Sequence, residues 1–470
     1  MSFIFNFFLA LQFCILISTF TLDKINQTEL ENVIKVQMKR ARMPTLGIII
    51  TNKNKTLYQN IFGKNIKANM QTPFIIGSVS KSFTALAILK SNVSLNDTLD
   101  KYDLKDYIKK ELAKNITLSE LLNHTSGLNA FSSDRSSERG KFSYSNYGFS
   151  LLGKVIEKKN GMKYSEFLDK NIFKPLNMVN TKAEYSESII ESYYFVFNSK
   201  TKNTNLKSEM TGKNTFQIPA GYISSSIEDM GNYLRFFLDE KNAEYISNMT
   251  ICSVNTSKKN NEYYGMGMHI VKRNDYIIYH HSGSTPSFTS QLSIYPKLDL
   301  GIFMVTNIND LLSPIPFSQF YSAIQNYLIY GVYDDVDIEI SFFRHFFFNV
   351  FCLLFMTIPI VYLVITIVRK CKRKKYTWFI NIKGKIIFGV EVFILFILPI
   401  VIFFGFRKKV MFLFVKDFVF TVNTICITLW LNLIIKIVYI ILYNKLNWEV
   451  NENEKKDELK ELISKEDDNN

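Results

Sequence analysis

The chain has 470 residues, of which 47% are hydrophobic and 15% aromatic, a composition that excludes a disordered or low-complexity polymer. Five cysteines are too few for a disulfide scaffold, and no Cys/His spacing suggests a metal. The net charge of +14 does not point to nucleic acid, because eight of the cations crowd into residues 369–385, a stretch without an acid.

Residues 1–22 are almost entirely apolar and read as a signal peptide or signal anchor. A globular domain is expected over 23–333. Leu46 to Thr51 and Thr56 to Phe62 are β-rich runs about the polar turn Asn52 to Lys55, a hairpin by pattern. Phe74-Ile75-Ile76 then leads into Gly77-Ser78-Val79-Ser80-Lys81 and an apolar helix through Leu89. Further helices are expected at Leu118 to Leu122, Tyr147 to Lys158, Ser165 to Asp169 and Ile227 to Leu238. Three more strands follow at Tyr276 to His281, Thr289 to Tyr295 and Leu300 to Thr306, and a closing helix at Phe317 to Ile329.

Residues 334–344 form an acidic linker, and 345–443 read as a membrane region with spans at about 345–368, 386–406 and 418–443. The cationic loop between the first two spans belongs in the cytosol by the positive-inside rule. That rule predicts a multi-pass membrane protein with residues 23–333 extracellular or lumenal, a lipid bilayer as partner, and a charged cytosolic tail at 444–470. Eight Asn-x-Ser/Thr sequons, from Asn26 to Asn255, precede the spans and suggest a glycoprotein.

The chemistry begins at Ser78 and Lys81. Positions i and i+3 share a helix face, so the lysine amine can reach the serine oxygen and act as its base. A second pair, Ser199 and Lys202, lies in a polar stretch with no helix to present it. Downstream come Tyr144-Ser145-Asn146 and His281-Ser282-Gly283-Ser284. Two further phrases accompany them: Leu121-Leu122-Asn123-His124-Thr125-Ser126-Gly127-Leu128 and Pro219-Ala220-Gly221-Tyr222-Ile223-Ser224-Ser225-Ser226. In the first, His124 reads as a loop-bracing residue and Gly127 as a left-handed turn.

With its three boxes in this order, the chain resembles the serine β-lactamase-related family of class C β-lactamases, penicillin-binding proteins and their esterase and peptidase relatives. The resemblance covers roughly residues 28 to 330. It implies an α/β (α+β) fold, one antiparallel sheet flanked by helices, with an all-helical lobe carrying Tyr144. It also implies an acyl-enzyme mechanism on a small-molecule or peptide ester or amide, without a cofactor. Ser78 would be the nucleophile, Lys81 its base and Tyr144 the proton relay. Asn146 would hold Lys81 and substrate, and the N–H groups of Ser78 and Ser284 would form the oxyanion hole. His281 and Gly283 would line the opposite wall. Penicillin-recognising members carry lysine where this chain has His281, which predicts weak or no β-lactamase activity. The alternative is a catalytically idle domain that binds or scaffolds.

Overall fold

All seven residues of strand β1 (Thr45–Thr51) are buried, which requires cover on both faces of its sheet. The computed structural model describes residues 26–331, apart from 64–67, 197–198, 252, 258–260, 274–275 and 310–316. It also describes residue 333 and scattered helical positions between 347 and 456. β1 belongs to an eight-stranded sheet with β2 (Thr56–Gly63), β3 (Val254–Ser257), β4 (Glu262–Tyr264), β5 (His269–Lys272), β6 (Ile277–Ser284), β7 (Thr289–Tyr295) and β8 (Leu300–Thr306). Their order is β2-β1-β8-β7-β6-β5-β4-β3, and every pairing is antiparallel. Strands from the two ends of the domain meet side by side, Ile48 pairing with Met304 and Ile50 with Ile302.

Side chains alternate between the two faces of a strand, and here each face has its own core. Leu46, Ile48, Ile50, Ile302 and Met304 pack against helices α1 (Gln27–Arg40) and α6 (Phe317–Tyr330). In α6 the buried positions Phe317, Phe320, Tyr321, Ile324 and Leu328 form a single stripe at helical spacing. Ile49, Phe303 and Val305 point the other way, into a larger core with α2 (Ser80–Lys90) and α5 (Ile227–Leu238). Each such aliphatic or aromatic side chain contributes about 1.5–3 kcal/mol on burial. Helices α3 (Leu118–Leu122) and α4 (Asn146–Asn160) belong to a helical lobe on this side.

Helix α2 is enclosed: every residue from Ser80 to Ile88 is buried. A helix apolar on one stripe alone could not be enclosed in this way. Polar members such as Ser80, Lys81, Ser82 and Thr84 are instead held by hydrogen bonds.

Two expectations need adjustment. β6 runs on to Ser284 because Ser282, Gly283 and Ser284 pair with Gln291, Ser290 and Thr289 of β7. The third sequence box therefore lies within a strand.

The expected membrane region is corrected. Among the described residues no helix is long and apolar enough to cross a membrane, which overturns the three spanning helices and the multi-pass localisation. Apolar composition alone does not make a span; about 30 Å of continuous helix is required. The described helical stretch 423–435 covers only about 20 Å at 1.5 Å per residue. All of 386–406, and many positions of 345–368 and 418–443, lie outside the described residues. So do the expected signal segment 1–22 and the linker 334–344. Residues His345–Asn470 form a unit of their own.

Candidate active site

Ser78 sits in the 3₁₀ turn Gly77–Val79 that leads into α2. Gly77 has φ +56°, and a Cβ on it would lie 2.4 Å from the Ser284 nitrogen. Only glycine allows both the turn and this approach of β6. The turn thereby brings the backbone of Ser78 beside that of Ser284, while the Ser78 side chain stays partly exposed.

One helical turn later, Lys81 is wholly buried. Its Nζ lies 3.0 Å from Ser78 Oγ and 2.7 Å from Asn146 Oδ1, and it donates to the Ala220 carbonyl. The ring centre of Tyr144 is 4.8 Å away and that of Phe149 5.6 Å. Burial pushes the amine well below the usual lysine range. A neutral amine has two hydrogens and one lone pair. Asn146 Oδ1 and the Ala220 carbonyl accept the two hydrogens. The lone pair is left for the Ser78 hydroxyl to donate into, the arrangement a base needs.

Ser145 caps α4 by accepting the Gly148 N–H at 3.1 Å, which makes Asn146 the first helical residue. Tyr144 stands just outside that cap. Burial pushes its phenol up, opposed by a hydrogen bond with Ser78.

Segment 219–226 encloses α2 from the other side. The Pro219 carbonyl accepts from Thr84, the Ile223 N–H donates to Ser80 Oγ, and the Ile223 carbonyl accepts the Ile76 N–H.

On β6, His281 and Gly283 share the buried face, while Ser282 and Ser284 are exposed. Both ring nitrogens of His281 are engaged: Nδ1–H donates to the Ser282 carbonyl at 2.7 Å, and Nε2 accepts from the Tyr264 hydroxyl at 3.1 Å. Burial holds its pKa well below the ordinary histidine value. The imidazole is neutral at pH 7 and offers no cation to a substrate.

A beta-lactamase family model matches residues 30–314. The chain belongs to the beta-lactamase family. Protein flp of Staphylococcus aureus (strain MRSA252) is 24% identical over 353 residues, 65% of this chain and 68% of that protein. Beta-lactamase-like protein 4 of Dictyostelium discoideum is 25% identical over 335 residues, 58% of each chain. Among solved structures, the octameric penicillin-binding protein homologue from Pyrococcus abyssi superposes with a TM-score of 0.55 at 23% identity, covering 65% of this chain and 78% of its own. A D-stereospecific amidohydrolase from Streptomyces sp. gives 0.52 at 18% identity, covering 64% and 99%. At these identities the structural likeness establishes a beta-lactamase-like fold of antiparallel sheet and helices, and nothing finer.

Within this beta-lactamase frame the structure brings Ser78, Lys81, Tyr144 and Asn146 together. It sets Gly283 and Ser284 beside the Ser78 turn and His281 one layer deeper, its ring centre 6.3 Å from that of Tyr144. Residues without a sequence signal complete the surroundings. The Tyr264 ring lies 4.7 Å from His124, 4.7 Å from His269 and 5.8 Å from His281, in a cluster that holds four of the five histidines with His280. The pairing of β4 with β5 and of β5 with β6 gathers Tyr264, His269, His280 and His281. Asn309 Nδ2 donates to Ser284 Oγ at 2.8 Å and steadies that end of β6.

Other candidates fall elsewhere. Ser199 and Lys202 lie in the strand Ser199–Lys202, where positions i and i+3 face opposite ways, and both are exposed or nearly so. Asn123 is buried and its Oδ1 accepts from Thr125 at 2.6 Å, leaving no room for a glycan. A cavity of about 1180 Å³ lies among Lys35, Lys39, Phe62, Ser188 and Glu191, and none of Ser78, Lys81, Tyr144, Asn146, His281, Gly283 and Ser284 lines it.

Proposed function

We propose that this beta-lactamase family member hydrolyses an ester or amide through an acyl-enzyme on Ser78, with slow or no turnover of β-lactams. One observation carries the reading: a fully buried lysine amine stands 3.0 Å from a partly exposed serine hydroxyl. Ser78 Oγ attacks the substrate carbonyl carbon as its proton passes to Lys81 Nζ. The carbonyl oxygen gains the negative charge and meets the N–H groups of Ser78 and Ser284, each such donor contributing about 2.7–4 kcal/mol. Tyr144 gives its phenol proton to the departing alcohol or amine and regains one from Lys81, which returns both groups to their starting state. Water then attacks the acyl carbon, giving up a proton along the same path, and the acid leaves with Ser78 restored.

The activity is assigned to residues 23–333. Amides are included because the Streptomyces neighbour is named an amidohydrolase. β-Lactams are disfavoured because the neutral, doubly engaged His281 gives their carboxylate no permanent cation. The test is Ser78→Ala in the full-length chain. Turnover of activated esters should fall at least about 10³-fold, and labelling by a fluorophosphonate should vanish with the circular dichroism unchanged. Ester turnover and labelling equal to the natural chain would sink the reading.

A further inference from the structure

We infer that His124 is the positioning residue that holds Tyr144 in register with Ser78 and Lys81, an inference that rests on the hydrolase reading above. His124 grips both neighbours of Tyr144. Its backbone carbonyl accepts the Ser143 N–H at 2.8 Å, and its ring Nδ1 accepts the Ser145 N–H at 3.1 Å. Its ring centre lies 4.3 Å from that of Tyr144. Backbone before, backbone after and ring face are all fixed from one residue.

The backbone supplies an independent observation. His124 has φ +61° and is completely buried. Glycine would suit that conformation better, and asparagine is the commonest tolerated side chain there. A fully buried imidazole held in this left-handed position carries a backbone cost that its packing and hydrogen bonds offset. Around it stand the rings of Phe142, Tyr144, Phe149 and Tyr264. Burial keeps the ring neutral. With Nδ1 accepting, the one ring hydrogen is on Nε2, which has no hydrogen-bond partner among the described residues. Neutrality is what preserves the Nδ1 lone pair for Ser145.

The experiment compares ester kcat and KM of the full-length chain with His124→Leu, His124→Asn and His124→Gly, alone and with Tyr144→Phe. His124→Leu should lower kcat about 10²-fold, the scale of a small misplacement of a reacting group, with KM within about threefold. His124→Asn tolerates the backbone angle and offers an oxygen to Ser145, so it should recover most of the loss. On a Tyr144→Phe background, His124→Leu should cost little more, because the two act as one unit. If the leucine variant does not fold, His124→Gly replaces it: glycine relieves the backbone and keeps the carbonyl bond to Ser143 while removing the ring. Natural kcat in His124→Leu or His124→Gly, beside an inactive Ser78→Ala, would overturn this inference alone. So would an asparagine variant as poor as leucine, or a full additive loss on the Tyr144→Phe background. An active Ser78→Ala would overturn the hydrolase reading and this inference with it.

Discussion

No side chain fits between Gly283 and Ile76: a Cβ on Gly283 would lie 2.1 Å from the Ile76 carbonyl oxygen. Ser290 donates to that same carbonyl at 2.7 Å, so β6 and β7 together hold the segment that leads into the Ser78 turn. The spacing between the serine and the opposite strand is therefore set by a glycine.

Gly283→Ala should push β6 away from this turn. The expected cost in stability is on the order of 1–3 kcal/mol, the range for overpacking a closed core. Ester kcat/KM should fall by about 10²-fold as the Ser284 N–H moves off the oxyanion position. Thermal melts and steady-state kinetics on the full-length chain check both, and an alanine variant with natural kinetics would contradict the role given to this close approach.

Lys81 should write a pH signature into stability. Burial holds its amine well below the ordinary value of 10.5, a value that unfolding restores. Between the two, the unfolded chain binds the extra proton and the folded chain does not. Stability therefore rises with pH through this window, is complete above 10.5, and is lost as pH falls. Measured against Lys81→Met, the natural chain should gain up to about 1.4 kcal/mol per pH unit between pH 7 and 10. Denaturant melts at several pH values give this difference, and a flat one would mean that Lys81 is charged in the fold.

His281 should stay neutral under mild acid. An ordinary histidine would be mostly protonated at pH 5.5, but here burial holds the folded value well below the ordinary one. The ratio of penicillin to ester turnover should accordingly stay low and flat from pH 7.5 to 5.5. His281→Lys replaces the neutral imidazole with a longer and more basic side chain and should raise the ratio, on the order of tenfold. Penicillin hydrolysis that climbs steeply on acidification of the natural chain would show that His281 titrates within this range.

Local features of this protein could be read directly from the chain. The Ser78–Lys81 approach depends on a three-residue separation along a helix, and the left-handed turn at Gly127 on one glycine, observed at φ +76°. The hairpin Thr45–Thr51 and Thr56–Gly63, the strands Thr289–Tyr295 and Leu300–Thr306, and the helix Ile227–Leu238 follow from patterns within a dozen residues. Such signals survive without tertiary context because backbone geometry alone links the residues concerned.

Tertiary packing decided the rest. Tyr264, the Ala220 carbonyl and Asn309 reach the site across strand pairings and a helix crossing, and no short window of sequence encodes those distances. The burial that leaves the Lys81 amine neutral is likewise a property of the enclosed helix rather than of the Ser-x-x-Lys spacing. His281 reads in sequence as a wall of the site, yet strand register turns it inward onto Tyr264. The apolar C-terminal third carries the same lesson in reverse. Composition measures how strongly side chains avoid water, but a span also needs an unbroken helix, and among the described residues none is long and apolar enough.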